Sequence, residues 1–301
     1  MKEKIVHVLY LLVGIHCLFA NVAQAQSCPD GSAIQNGSAI QSSLNAIAAT
    51  GGKIPLPCGC WALSQTLVMP SNTALEGAGH CTILYGPNAG TSIIGDYNAR
   101  RYGIAVRDLT IDGRGPSATQ DGYIAIDFRN VSLGRVRDVY IEDVQTGIEI
   151  TTTSSQNGAY YNVIQDSVII ASNTGIEILE GANENIVRGG KIQSSGAVPT
   201  MTTGVWLRNV NNNKIEDVAI EALCRSFSAV SPCSRGVRVD TGAVSTKIVG
   251  IRAENIDLGV HLATGSSDTV GLGVYCSVTT TPRKSDVSSY RWIGTGCGTE
   301  N

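Results

Sequence analysis

Glu149 and Glu177 are residues whose type and spacing suggest chemistry. Each stands between two apolar residues, in Ile148-Glu149-Ile150 and in Ile176-Glu177-Ile178. Side chains alternate across a strand, so inward isoleucines imply outward glutamates. The same frame recurs in Val205-Trp206-Leu207, Val237-Arg238-Val239 and Val260-His261-Leu262, and less regularly in Ile124-Ala125-Ile126. It aligns Ala125, Glu149, Glu177, Trp206, Arg238 and His261 in one outward column. Two residues on, it aligns Asp127, Thr151, Leu179, Arg208, Asp240 and Ala263 in a second. Carboxylates one strand apart repel, which raises one pKa and yields an acid and a base. Such a pair is what glycoside hydrolysis requires. Trp206 offers a flat apolar surface for a sugar ring. Arg208 and Arg238 offer bidentate grips for uronate carboxylates, and Asp127 and Asp240 complete a polar surface for substrate. Lyase chemistry would instead use His261 or Arg238 as base, with the uronate charge met by the other arginine or by calcium on Glu149, Glu177 and Asp127. The plainer alternative is a solvated face whose charges pair across strands.

Repeated short strands must position these residues. A glycine leads each copy: Gly147, Gly175, Gly204, Gly236 and Gly259, spaced 28, 29, 32 and 23 residues apart. A fixed strand with drifting loop length is the signature of a solenoid. A second strand set follows, as in Val106–Ile111, Val136–Ile141, Ile164–Ile169, Val187–Ile192, Ile215–Ile220 and Ile248–Ala253. Just before it stand Asn162, Asn185, Asn213 and Thr246, placed for an amide ladder. These features predict an all-β right-handed parallel β-helix of about nine or ten coils. Residues 38–49 predict an amphipathic helix, with Ser38 as N-cap and Ile40, Leu44 and Ile47 on one face, covering the first coil.

Lys2 and Lys4, an apolar run and Ala23-Gln24-Ala25 predict an export signal over residues 1–25. Residues 26–301 are then one domain, with coils over about 53–276 and a C-terminal cap over about 277–301. The processed chain carries 20 basic and 24 acidic residues, which gives no general attraction to nucleic acid. A monomer outside the cytoplasm is expected, periplasmic if bacterial, with no membrane contact after cleavage. Eight cysteines remain after Ala25, an even number suited to disulfides. Cys224–Cys233 is the expected pair, Cys276 and Cys297 can tie the C-terminal cap, and Cys28, Cys58, Cys60 and Cys81 pair among themselves. A Cys58-x-Cys60 metal site is the rival. Asn36-Gly37-Ser38 and Asn130-Val131-Ser132 are glycosylation sequons.

One stretch resembles a known family. Gly51-Gly52, Leu56-Pro57-Cys58-Gly59, Trp61, Pro70-Ser71-Asn72 and Leu75-Glu76-Gly77-Ala78-Gly79 are similar to the N-terminal segment of pectate-lyase-like β-helix proteins. That superfamily includes rhamnogalacturonase/epimerase and pectate-lyase-3-type domains and related phage tailspikes. The resemblance implies the β-helix fold and a polysaccharide substrate containing uronic acid. The chain departs from it in lacking the Asn-Thr-Asp, Asp-Asp, Gly-His-Gly and Asp-Pro-His motifs, so no catalytic residue transfers. The sequence thus points to an enzyme cleaving glycosidic bonds, as lyase or hydrolase, with a non-catalytic carbohydrate-binding or adhesion protein as the alternative.

Overall fold

The computed structural model describes residues 34–87, 92–95, 97–113, 122–154, 158–195, 199–225, 232–277, 281–285 and 290–293. The expected signal segment, Cys28 and Cys297 lie outside them. Each full coil lays strand on three faces, merged into one long strand in Arg135–Ile150 and separate in the later coils. In one later coil the strands are Ile186–Arg188, Lys191–Ser194 and Thr203–Arg208, before the chain returns at Lys214–Glu216. Every strand pairs in parallel with its equivalent one coil away. The result is a right-handed parallel β-helix with three faces. The front face carries the glycine-led strands, and the side and back faces follow in chain order.

Among the described residues the side face has ten rungs, from Gly52–Pro55 to Tyr290–Ile293. The front face runs from Ser92–Ile94 to Thr281–Ser285. The core is a stack of aliphatic columns. Ile148, Ile176, Val205, Val237 and Val260 follow one another on consecutive rungs and are buried. Each such side chain contributes roughly 1.5–3 kcal/mol by leaving water.

Three kinds of corner close the coil. The corner into the front face needs glycine for lack of space. A Cβ on Gly147, Gly175 or Gly204 would stand 2.6 Å from the carbonyl oxygen of the next glycine in the stack. The corner between side and back faces is a column of left-handed residues: Asp108, Asp138, Asp166, Gly189, Asp217, Gly250 and Gly273. Asp and Gly tolerate this conformation where most residues do not. The sequence pattern presents Ile164–Ile169 and its equivalents as one strand. In several coils they are two strands joined by this corner, as in Val163–Gln165 and Val168–Leu179.

The third corner leads from the front to the side face and holds the amide ladder. Asn162, Asn185 and Asn213 are fully buried. Asn185 Oδ1 accepts from both the backbone N–H and Nδ2 of Asn162, each at 2.9 Å. Asn213 Oδ1 accepts from the same two groups of Asn185 at 2.9 and 3.1 Å. Each amide closes the corner of the coil before it, so buried backbone groups there are satisfied. Asn130 is also buried and donates to the Tyr97 carbonyl at 3.0 Å, so its sequon is closed to a glycan in the folded chain.

The helix is Ser38–Ala46, and its N-cap is Gly37 rather than Ser38. Asn36 Oδ1 accepts from the Ser38 N–H instead, at 2.9 Å. Ile40 and Leu44 enter the common core, while Ile47 lies beyond the last helical turn. Gln41 takes both backbone groups of Val68, accepting its N–H at 2.8 Å and donating to its carbonyl at 3.1 Å. Cys224–Cys233 forms as expected. Cys58 bonds Cys81, and Cys60 is also disulfide-bonded, which removes the Cys58-x-Cys60 metal site. No helix among the described residues is long and apolar enough to cross a membrane.

Asn185→Ala leaves the Asn162 N–H and the Ala159 carbonyl without their Asn185 partner inside the core. Unfolding should become easier by about 2–3 kcal/mol, seen as a lower denaturant midpoint at unchanged slope. An unchanged midpoint would show that the ladder carries no stability.

Candidate functional site on the front face

Parallel pairing sets the outward column. Asp127 pairs with Glu149, Glu149 with Glu177, Glu177 with Trp206, Trp206 with Arg238, and Arg238 with His261. This corrects the alignment of the first copy by two residues. The sequence frame sets Ala125 beside Glu149 and Asp127 in the second column. Instead Ile126 pairs with Ile148, so Ala125 is level with Gly147 and takes the place of the corner glycine. Its methyl is fully buried there. Asp127 therefore joins the first column, and Arg129 heads the second.

Arg129 is a site residue that the sequence reading missed. Its Nη2 lies 3.2 Å from Asp127 Oδ2 and 3.6 Å from Glu149 Oε1. Asp127 also accepts the Arg129 backbone N–H at 2.9 Å. Asp127 is only 1% exposed, so it supports the site from beneath rather than meeting a ligand. The signal for Arg129 was present, since Ile126-Asp127-Phe128 also fits the apolar–x–apolar frame.

Glu149 and Glu177 do stand on adjacent rungs, roughly 4.8 Å apart along the stack. Burial pushes the Glu149 carboxyl up to about 7, helped by Asp127 and Glu177 and opposed by Arg129. Burial raises Glu177 as well, opposed by a hydrogen bond from Thr174 and by Arg208. A half-buried Glu149 raised to about 7, one rung from a second raised carboxyl, keeps its proton towards neutral pH.

The rest of the column is tied internally. Trp206 is half-buried, and its indole N–H donates to Asp240 Oδ2 at 2.9 Å. The guanidinium carbons of Arg208 and Arg238 each lie 4.9 Å from its ring centroid, in reach of cation–π attraction. Arg238 grips Asp240 through two nitrogens, at 2.9 and 2.7 Å. Arg208 pairs with Glu180 at 2.9 Å. Thr151 and Leu179 of the second column are buried.

His261 is 7% exposed, and its Nδ1 accepts from Arg235 Nε at 3.1 Å. An acceptor Nδ1 places the proton of the neutral ring on Nε2. Burial, and then Arg238, lower the pKa of Arg235, with Asp240 opposing. Arg235 is the second residue missed. It fills the position held by Thr146, Thr174 and Thr203 in other copies. Among the described residues no group of three His, Cys, Asp or Glu side chains could hold a metal ion, so Glu149, Glu177 and Asp127 do not form a calcium cage.

Known proteins share this architecture. A family model described as NosD, periplasmic copper-binding protein, matches residues 88–272, and the chain belongs to that family. No curated protein matches the sequence. Among solved structures, the DFA-IIIase of Arthrobacter chlorophenolicus A6, as a C387A mutant in complex with DFA-III, is 13% identical, with a TM-score of 0.62 over 84% of this chain and 66% of that one. The tailspike protein of E. coli bacteriophage HK620, in complex with a pentasaccharide, is 14% identical, with a TM-score of 0.60 over 89% and 55%. ORF18 of Geobacillus virus E2 is 17% identical, with a TM-score of 0.53 over 85% and 58%. The chain spans less than two thirds of each of these proteins. At such identities the likeness is one of fold.

A raised carboxyl pKa makes stability depend on pH in a fixed direction. A folded-state pKa near 7 against an unfolded value of 4.5 means that the folded chain binds the extra proton between those values. Its contribution is fully present below about 4.5 and is lost as pH rises through 7. Glu149→Gln should therefore raise the thermal midpoint relative to the parent at pH 8, with the gain shrinking towards pH 4.5. A gain independent of pH would mean that Glu149 does not carry the shift.

Proposed function

We propose that this chain is an exported polysaccharide-active protein that cleaves glycosidic bonds on its front face. Glu149 is the proton donor and Glu177 the nucleophile. The observation that carries this reading is the adjacency of the two half-buried carboxyls, with Glu149 raised to about 7. In the cleavage step Glu149 gives its proton to the glycosidic oxygen as the bond to the anomeric carbon breaks. At one-rung spacing there is no room for a water between the carboxyls, so Glu177 attacks the anomeric carbon, and water that gives its proton to Glu149 then releases the sugar from Glu177. Trp206 supplies the apolar platform beside them, and Arg208 and Arg238 present cationic edges to a uronate-bearing chain.

Hydrolysis is favoured over β-elimination by the state of the alternative bases. Arg238 is held by Asp240, and His261 is buried with Nδ1 occupied by Arg235. Export over residues 1–25 is consistent with the disulfides, which persist in oxidising compartments.

The family description raises the question of copper. Copper sites draw on thiolate, thioether and imidazole ligands. Here Cys58, Cys60, Cys81, Cys224 and Cys233 are disulfide-bonded, and Met69 and Met201 are fully buried. His261 is committed to Arg235, and His80 lies edge-on to Tyr140 at 5.8 Å. The described residues do not fit a copper ion, and no step is routed through one.

A non-catalytic carbohydrate-binding role is the second reading. It is favoured by the internal pairing of Arg208 and Arg238, which is also what a static surface would show. The two readings separate in one assay on uronic-acid polysaccharides. Cleavage by this dyad should release new reducing ends without unsaturated product. Glu149→Gln and Glu177→Gln should each lower the rate by at least about a hundredfold. Unsaturated product would mean elimination, and no product from a binding-competent chain would favour the second reading.

A further inference from the structure

The corner that holds the amide ladder also builds a surface that the front-face chemistry does not use. The residue before each ladder position, and before Gly134 and Thr269 in line with them, is left-handed. These residues are Leu133, Tyr161, Glu184, Asn212, Ser245 and Asp268. The left-handed kink lets the next residue turn into the core while this one turns out. Leu133 and Tyr161 are 50% and 55% exposed. Most non-glycine left-handed positions among the described residues are Asn or Asp, which adopt this conformation at little cost. Tyr161 is an exception, a bulky ring kept in an unfavourable backbone state and presented to solvent.

Two adjoining grooves flank this column. One, of about 230 Å³, is lined by Tyr160, Tyr161, Asn183, Glu184, Asn211 and Asn212. The other, of about 360 Å³, shares Tyr160 and Asn183 with it and reaches Glu180 and Thr152. Their linings come from three consecutive coils, which span roughly 10 Å along the stack. The walls are fixed. Gly158 leaves the space that the Tyr160 ring occupies, because a Cβ there would overlap the ring. The rings of Tyr160 and Tyr161 meet at 62°, with centroids 6.5 Å apart. Asn183 Oδ1 accepts the Asn211 N–H at 2.6 Å, which leaves its NH2 group as a donor. A hydrogen bond to Glu184 raises the Tyr161 phenol, so that carboxylate lies within reach of the ring.

We propose that this corner is a second carbohydrate site, which takes a neutral oligosaccharide of about two sugar units against Tyr161. Ring faces of sugars pack on exposed aromatic faces. Amides and carboxylates in a column match the alternating donor and acceptor character of sugar hydroxyls. The charge selects against uronates. Glu184 lies within the groove, and Glu180 beside it is already neutralised by Arg208. This site stands whether or not the front face cleaves anything.

Calorimetric titration of the full chain with cellohexaose, maltohexaose and xylohexaose tests it. At least one should bind. Tyr161→Phe should keep that binding, Tyr161→Ala should weaken it by about tenfold, and Glu149→Gln should leave it unchanged. The proposal is overturned if none of the three binds, or if Tyr161→Ala binds as the parent does. Loss of binding in Glu149→Gln with retention in Tyr161→Ala would also overturn it, and would place the neutral sugar on the front face instead.

Discussion

Everything in this molecule follows from parallel strands stacked in register, with one coil's residue directly above the next. The spacing is set by backbone hydrogen bonds and cannot relax. The corner glycines make it possible, because Gly147, Gly175 and Gly204 let consecutive turns approach to where a Cβ would strike a carbonyl oxygen. The buried amides of Asn162, Asn185 and Asn213 fix the opposite corner. Between these two corners the front strand has little freedom in where it places its side chains.

That constraint creates the electrostatics of the front face. Glutamates at equivalent positions in successive coils must lie one rung apart, whatever the repulsion. The cationic side chains nearby are largely spoken for. Arg129 serves Asp127 more closely than Glu149, Arg208 serves Glu180, and Arg238 serves Asp240. Glu149 and Glu177 are left half-buried with partners too weak to offset burial, Arg129 at 3.6 Å for Glu149 and Thr174 for Glu177, so protonation is favoured. The same pairings hold Trp206 in place, since its indole N–H bonds the carboxylate that Arg238 grips.

The sequence made the periodic parts legible. Glycine-led copies, aliphatic alternation and spaced asparagines each reflect a steric or hydrogen-bonding need that one residue type meets best. The Cys224–Cys233 bridge was legible because the two cysteines flank one loop. What escaped were positions where a different residue meets the same need. Ala125 does the work of a corner glycine, so the first copy was aligned two residues off and Arg129 went unseen. Arg235 replaces a threonine at the strand start and ties down His261. The left-handed corners at Asp138 and Asp166 escaped because an aspartate within an apolar alternation reads as an outward strand residue.

Burial on the stacked front face, reinforced by Asp127 and Glu177, holds Glu149 protonated up to about pH 7. The direct measurement is an NMR titration of the glutamate side-chain carboxyl carbons in the folded chain, assigned through Glu149→Gln and Glu177→Gln. Glu149 should titrate near 7, and its pKa should fall when Glu177 is neutralised. If both carboxyls titrate near the ordinary value of 4.5, independently of each other, the dyad does not exist and the front face is a paired, solvated surface.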